Sequence, residues 1–248
     1  MDASAPDDRA KDYAAKEHAE VLSIVSHDIR APLGVILAAL SELHDPRVGV
    51  LSDAQTGLLQ LVRRSSERLN RLAGNVLFLK RLTAGEISLA RQATDLRDVA
   101  RRAVDSFERS GELGKKIRAT LQLPDTRINV EGDAELLTQA ATNLIANAIR
   151  AARVEVVVTV ATEGEVPVLR VDDDGAGVPP ALLPVLFARE APAMAGLERG
   201  LGLIVVRGIV SAHAATVTVE NRLDAATQKV LGARFQIALG AERPRAQL

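Results

Sequence analysis

A histidine and an aspartate stand side by side at His27 and Asp28, in the run SHDIRAPL at positions 26 to 33. An imidazole attacks a phosphorus atom only through an unprotonated nitrogen. A carboxylate that accepts a hydrogen bond from the other nitrogen fixes that tautomer and raises its nucleophilicity. Asp28 is placed to be that carboxylate. A second constellation is NLIANAIR, positions 143 to 150, where Asn143 and Asn147 share a helix face and Arg150 follows one turn on. A carboxamide oxygen suits Mg²⁺, which prefers oxygen donors and is normally shared with phosphates, so the two asparagines could serve a metal–phosphate site as well as a plain solvated face. In DDDGAGV, positions 172 to 178, Asp173, Gly175 and Gly177 form D-x-G-x-G. The glycines let backbone approach a flat ring, and the carboxylate can accept from an exocyclic amine such as that of adenine. Last comes GLGL, with Gly200, Leu201 and Gly202 read as a helix start whose free N–H groups face phosphate oxygens.

Each motif has a bland alternative: a core histidine, a solvated asparagine face, an ordinary Asp-Gly turn, a chance Gly-x-Gly. The elements that carry them decide. Leu22, Ile29, Ile36 and Leu43 recur every seven residues, with Val25 and Ala39 at the alternate seam position, so one long amphipathic helix is expected. His27 lies off that seam, which argues against a core role. Pro32 cannot donate to the carbonyl of Asp28, so the helix should bend just past the reactive pair. Leu58, Val62, Ser65, Leu69, Leu72, Val76 and Leu79 mark a second long helix. Ser52 with Gln55 caps its start, Lys80 and Arg81 suit its last turn, and Gly85 its stop. The turn HDPRVGV makes the pair an antiparallel hairpin. A hairpin with two such seams cannot bury both faces, and two copies make a four-helix bundle, so a homodimer is expected.

Beyond residue 85 the periodicity is mixed. Helices are expected at 95–109, 133–150 and 202–213. Strands are expected near 117–122 and 127–131, from 154, from 166, and near 216–221 and 234–239. Interleaved in this way they indicate an α/β sandwich, and the whole chain is of α+β class. The expected organisation is a lead-in over 1–14, a helical domain over 15–85, a linker over 86–94 and the sandwich over 95–243.

The 248 residues suffice for two cores, and 47% hydrophobic content is that of a globular protein. A net charge of −1 and 2% aromatic residues give no basis for nucleic-acid binding. With no cysteine there is no disulfide, thiolate metal site or thiol nucleophile, which fits a reducing cytoplasm. No apolar run approaches a membrane span, so no membrane insertion is expected. His18, His44 and His213 have no partner at metal-ligand spacing, and no site is assigned to them.

The histidine helix, the second helix ending LKRLTAGEI, the Asn-rich helix, the D-x-G-x-G turn and the GLGL run occur in that order. Together they resemble the catalytic core of sensor histidine kinases from about residue 15 to 240. The resemblance implies a dimerisation and phosphotransfer domain followed by an ATP-binding domain of the type shared with DNA gyrase. It implies that His27 is phosphorylated from ATP with Asp28 as its acid/base partner, and that a response regulator aspartate receives the phosphoryl group. Asn143 and Asn147 would form the asparagine box, with Mg²⁺ on Asn147 and phosphates near Arg150. Asp173 would bind adenine, and Gly175, Gly177, Gly200 and Gly202 would form the nucleotide loops. No segment reads as a sensor, so a sensor domain or partner is expected from elsewhere.

Three positions depart from the family pattern. Ala31 replaces a Thr or Asn four residues after the histidine, which implies weak phosphatase activity. Ala151 replaces a frequent aromatic residue. The loop between Phe187 and Gly200 is short and has Glu198 where a glycine is usual, which implies weaker ATP binding. A relay phosphotransferase with a weakened ATP site is the alternative reading. An ATPase or serine kinase of the same fold would keep its activity without His27, and a coiled-coil module would leave residues after 84 unexplained.

Overall fold

The computed structural model describes residues 31–43, 47–113, 117–187 and 197–240, with side chains in the last segment from Leu201 onward. Contacts divide the chain into two compact units, Met1–Glu86 and Ile87–Leu248.

In the first unit, helix α1 covers residues 31–42 and helix α2 runs Asp53–Thr83. The capping box at Ser52 is formed: its hydroxyl accepts from the Gln55 N–H, and the Gln55 side chain accepts from the Ser52 N–H at 2.8 Å. These two bonds satisfy donors that a helix start otherwise leaves open. Lys80 and Arg81 occupy the last turn, and Gly85 follows with φ +68°. Burial does not follow the heptad read from the sequence. Leu33, Leu40, Ala73 and Phe78 are buried, whereas Ile36, Leu43, Leu58, Val62 and Leu69 are exposed. These seam positions therefore face outward in a single chain, while Leu72, Val76 and Leu79 are half-buried and Leu22, Val25 and Ile29 lie outside the described residues.

The second unit opens with strand β1 (Gln92–Asp95), which pairs antiparallel with β3 (Asn129–Gly132). β1 is an addition to the sequence reading, which has a linker there. Between them come helix α3 (Leu96–Ser110) and strand β2 (Arg118–Gln122). Helix α4 (Ala134–Ala151), strands β4 (Glu155–Glu163) and β5 (Val166–Asp173), helix α5 (Leu197–Ala212), and strands β6 (Thr216–Leu223) and β7 (Val230–Ala238) complete the fold. The main sheet has the order β2-β4-β5-β7-β6, antiparallel except for β2 with β4.

The register separates the sheet's two faces. Val156, Val158, Val160, Leu169, Val171, Phe235 and Ile237 point one way and are buried. Helix α4 packs between α3 and α5 on that side. The other face is tied by polar cross-strand pairs, including Arg234 with Asp172 at 2.8 and 2.9 Å and Arg170 with Gln236 at 2.7 Å. A sheet with one apolar and one polar face, covered by helices on the apolar side, is the two-layer sandwich expected from the strand patterns.

Candidate functional site

Helix α4 presents the Asn-rich face. Its start is fixed by Asp133, whose carboxylate accepts from the N–H groups of Glu135 and Leu136 at 3.0 and 3.1 Å. From there the 3.6-residue period buries Asn143 and leaves Asn147 half-buried and Arg150 exposed near the C-terminal end. A Cβ placed on Gly202 would lie 3.3 Å from Asn143 Oδ1, so this glycine lets α5 come close to α4 at the first asparagine. The Arg150 guanidinium donates to Asn147 Oδ1.

GLGL does not open its helix. α5 begins at Leu197, so Gly200, Leu201 and Gly202 lie within it, and only Gly200 is among the first four residues, whose N–H groups have no partner inside a helix. Leu197, Glu198 and Arg199 are good helix formers and extend it by a turn beyond the expected start at 202.

The D-x-G-x-G turn leaves the end of β5. Asp173 is 1% exposed. Its Oδ1 accepts from the Gly175 N–H at 2.9 Å and the Ala233 N–H at 3.3 Å. Burial pushes its carboxyl above the usual range; the two N–H donors and Arg222 oppose that, and the neighbouring Asp174 adds to it. A Cβ on Gly175 would run into the Ala151 carbonyl, so this glycine lets the turn touch the end of α4. Gly177 has φ +78°, a left-handed conformation that L side chains rarely adopt.

These parts enclose a pocket of about 370 Å³. Asn147, Arg150 and Asp173 give it polar corners, while Val178, Leu186, Leu203 and Phe235 supply apolar walls. Phe187 meets Phe235 edge to face with ring centroids 6.2 Å apart. An apolar pocket lined also by a carboxylate, an amide and a guanidinium suits a flat heteroaromatic base joined to phosphates. Among the described residues no cluster of three or more His, Cys, Asp or Glu side chains could hold a metal on its own. A divalent cation here would rest on Asn147 and on the ligand's own phosphate oxygens, as Mg²⁺ commonly does. In this structure Asn147 Oδ1 accepts from Arg150.

The pocket thus brings together Asn147, Arg150, Asp173 and Gly177, whereas Asn143, Gly175, Leu201 and Gly202 do not line it. His27 and Asp28 lie outside the described residues, as do His18, His44 and the loop after Phe187. The sequence reading missed three groups. Asp174 accepts from the N–H groups of Arg153 and Val154, holding the turn to the segment after α4. Gly232 passes so close to the Asp173 carbonyl that a Cβ would collide with it. Asn221 pairs with the backbone of Val178. His213 proves to be a joint: its ring lies between the Ile209 carbonyl and the Asp133 N–H.

Residues 17–85 match the family model described as His Kinase A (phospho-acceptor) domain. Residues 132–243 match that of the histidine kinase-, DNA gyrase B-, and HSP90-like ATPase. The probable sensor histidine kinase TcrY of Mycobacterium tuberculosis is 34% identical over 203 residues, which are 79% of this chain and 42% of the relative. Histidine protein kinase DivJ of Caulobacter vibrioides is 30% identical over 221 residues, 86% of this chain and 36% of the relative. The chain spans less than half the length of these two relatives. Full-length ShkA, in a crystal structure with AMPPNP, superposes with a TM-score of 0.58 at 25% identity, over 89% of this chain and 45% of that one. The mycobacterial sensor histidine kinase MprB does so with a TM-score of 0.50 at 25% identity, over 60% of this chain and 97% of that one. One model matches the histidine-bearing helical unit and the other the sandwich that holds the pocket; the chain belongs to the histidine kinase family and spans its catalytic core.

Proposed function

We propose that this chain transfers the γ-phosphoryl group of ATP to His27 and passes it to an aspartate of a response regulator. The observation that carries this reading is the pocket joining Asn147, Arg150 and Asp173 inside an ATPase-type domain, downstream of a phospho-acceptor domain containing His27. The unprotonated imidazole nitrogen of His27 forms a bond to the γ-phosphorus. The bond to the β–γ bridging oxygen breaks, and its electron pair leaves with ADP. Asp28 accepts a hydrogen bond from the N–H of the other ring nitrogen and takes that proton as the ring becomes cationic on phosphorylation. Phosphoryl transfer demands mostly positioning and charge neutralisation, which Arg150 supplies at the phosphates. Mg²⁺ held at Asn147 would neutralise further phosphate charge.

The exposed seam of Ile36, Leu43, Leu58, Val62 and Leu69 supports a homodimer, because apolar positions at heptad spacing are covered by a second copy in a four-helix bundle. The absence of cysteine supports action in the cytoplasm. No helix among the described residues is long and apolar enough to cross a membrane. The stimulus would come from a sensor domain or partner. A relay phosphotransferase would leave the nucleotide pocket without a use.

The test is incubation with γ-³²P-ATP and Mg²⁺ beside a His27→Ala variant. Acid-labile, alkali-stable label that disappears in the variant is expected. Equal label in both would remove His27 as the acceptor. No label in a folded parent, together with label gained from a phosphorylated receiver domain, would favour the relay.

A further inference from the structure

The turn that carries Asp173, Gly175 and Gly177 has no regular backbone pairing of its own after β5 ends. Its first half is held by Asp174, whose carboxylate accepts from the Arg153 N–H at 2.7 Å and the Val154 N–H at 3.0 Å. Its second half is held from β6. Asn221 Oδ1 accepts from the Val178 N–H at 2.7 Å, and Asn221 Nδ2 donates to the Val178 carbonyl at 2.8 Å. One carboxamide thus satisfies both backbone groups of one residue, as a neighbouring strand would. The two bonds also fix the amide's orientation, since only one placement of oxygen and nitrogen satisfies both.

Alternation along β6 places Val217, Val219 and Asn221 on the inward side, opposite Ile237, Phe235 and Ala233. Asn221 is the polar member of that row, and its cross-strand neighbour Ala233 is the residue whose N–H reaches Asp173. A Cβ on Gly177 would lie 2.6 Å from Asn221 Oδ1, so the left-handed glycine and the clamp fit one another. Gly177 and Val178 both line the pocket, beside Leu203 and Phe235.

We propose that Asn221 is a positioning residue for the nucleotide base: by clamping Val178 it sets the pocket wall formed by Gly177 and Val178 at the distance an adenine ring requires. The inference rests on the nucleotide-binding reading given above. Asn221 bonds Val178 and not Asn147 or Arg150, so its effect is expected on the base and not on the phosphates.

The test uses the full chain, with Asn221→Ala, Asn221→Asp and a control, Val217→Ala, in the same strand but opposite Ile237, which does not line the pocket. Binding of ATP and of adenosine is measured by competition against a fluorescent ATP analogue, thermal melting is recorded, and KM and kcat of histidine labelling are determined. Loss of two neutral hydrogen bonds in Asn221→Ala is expected to weaken ATP and adenosine binding by the same factor, roughly tenfold. KM should rise, with kcat at saturating ATP unchanged. Asn221→Asp keeps the size but loses the donor, and turns a carboxylate toward the Val178 carbonyl, so it should weaken binding at least as much. Val217→Ala, at a comparable fall in melting temperature, should bind normally. Unchanged affinity in Asn221→Ala, or an equal loss in Val217→Ala, would overturn the inference while leaving the functional reading intact. Absence of ATP binding by the parent would overturn both.

Discussion

Replacing Asp173 by asparagine should damage nucleotide binding without damaging the fold, and the structure gives both signs. The carboxylate is buried, and its Oδ1 receives the N–H groups of Gly175 and Ala233. In Asp173→Asn those two donors hold the amide oxygen where Oδ1 now sits, which turns the amide NH₂ toward the pocket. A ligand amine that met an acceptor then meets a donor. A hydrogen bond to a charged group contributes about 1.5–3 kcal/mol, so its loss alone weakens binding by roughly ten- to a hundredfold, and opposed donors push the result to the upper end. Stability should hold or rise, because a neutral amide removes the desolvation that pushes this carboxyl upward.

The pH dependence follows from the same shift. The folded chain holds the Asp173 proton more tightly than the unfolded chain does. Between the ordinary carboxylate value and the raised one, acidification therefore favours folding while it removes the acceptor. From this group, affinity should fall and stability rise as pH is lowered, and Asp173→Asn should lose both dependences. Isothermal titration with ATP and thermal melting, each run across pH, check this. Affinity within twofold of the parent, or a fall in melting temperature that tracks the loss of binding, would refute the reasoning.

Asp95 works in the opposite direction. It caps α3 through the Arg97 N–H and binds the Arg97 guanidinium at 2.8 Å, and that hydrogen bond holds its carboxyl below the usual range. Its stabilisation is present at neutral pH and lost as pH falls through the lowered value. Asp95→Ala should cost about 1–2 kcal/mol in a denaturant titration at neutral pH and less as the parent's carboxyl protonates. Leu58→Glu with Leu69→Glu should give monomer mass in light scattering at micromolar protein, with helix content retained. Ala31, exposed on α1, offers no side-chain hydrogen bond to orient a water. Addition of this chain should therefore leave a phosphorylated receiver domain intact for as long as its own hydrolysis allows, and Ala31→Thr should shorten that lifetime; fast ADP-independent dephosphorylation by the parent would exclude this.

Local signals made much of this architecture readable. The Ser52 cap, the basic last turn of α2, and the β-branched runs of β4 and β5 each state their structure within a few residues, and the structure has them where the residues indicate. Failures occurred where a distant partner decides. QATD is four residues long with Thr94 as its one strong β-former, and becomes β1 because β3, which follows α3 and β2 in the chain, pairs with it. β7 begins at Val230, before its expected start, because Gly232 breaks the apolar pattern while allowing the close pass over Asp173. The heptads were legible as helices, but the face they bury was not. A repeat of seven marks a seam without saying whether its partner is the other arm of the hairpin or a second chain.

The same division runs through the site. Asn147, Arg150, Asp173 and Gly177 stand out in the sequence because a metal, a phosphate, an amine and a tight turn would each call for that residue type. Asp174 and Asn221 do not, because they bind only backbone, and any short polar residue in a loop or strand resembles a solvated one. Alternation offers the one available signal for Asn221: an amide at an inward position of β6 must find partners or carry the cost of burial unpaired. Polar residues at inward strand positions are thus the places to look for the groups that hold a ligand loop in shape, once the motif has shown which loop holds the ligand.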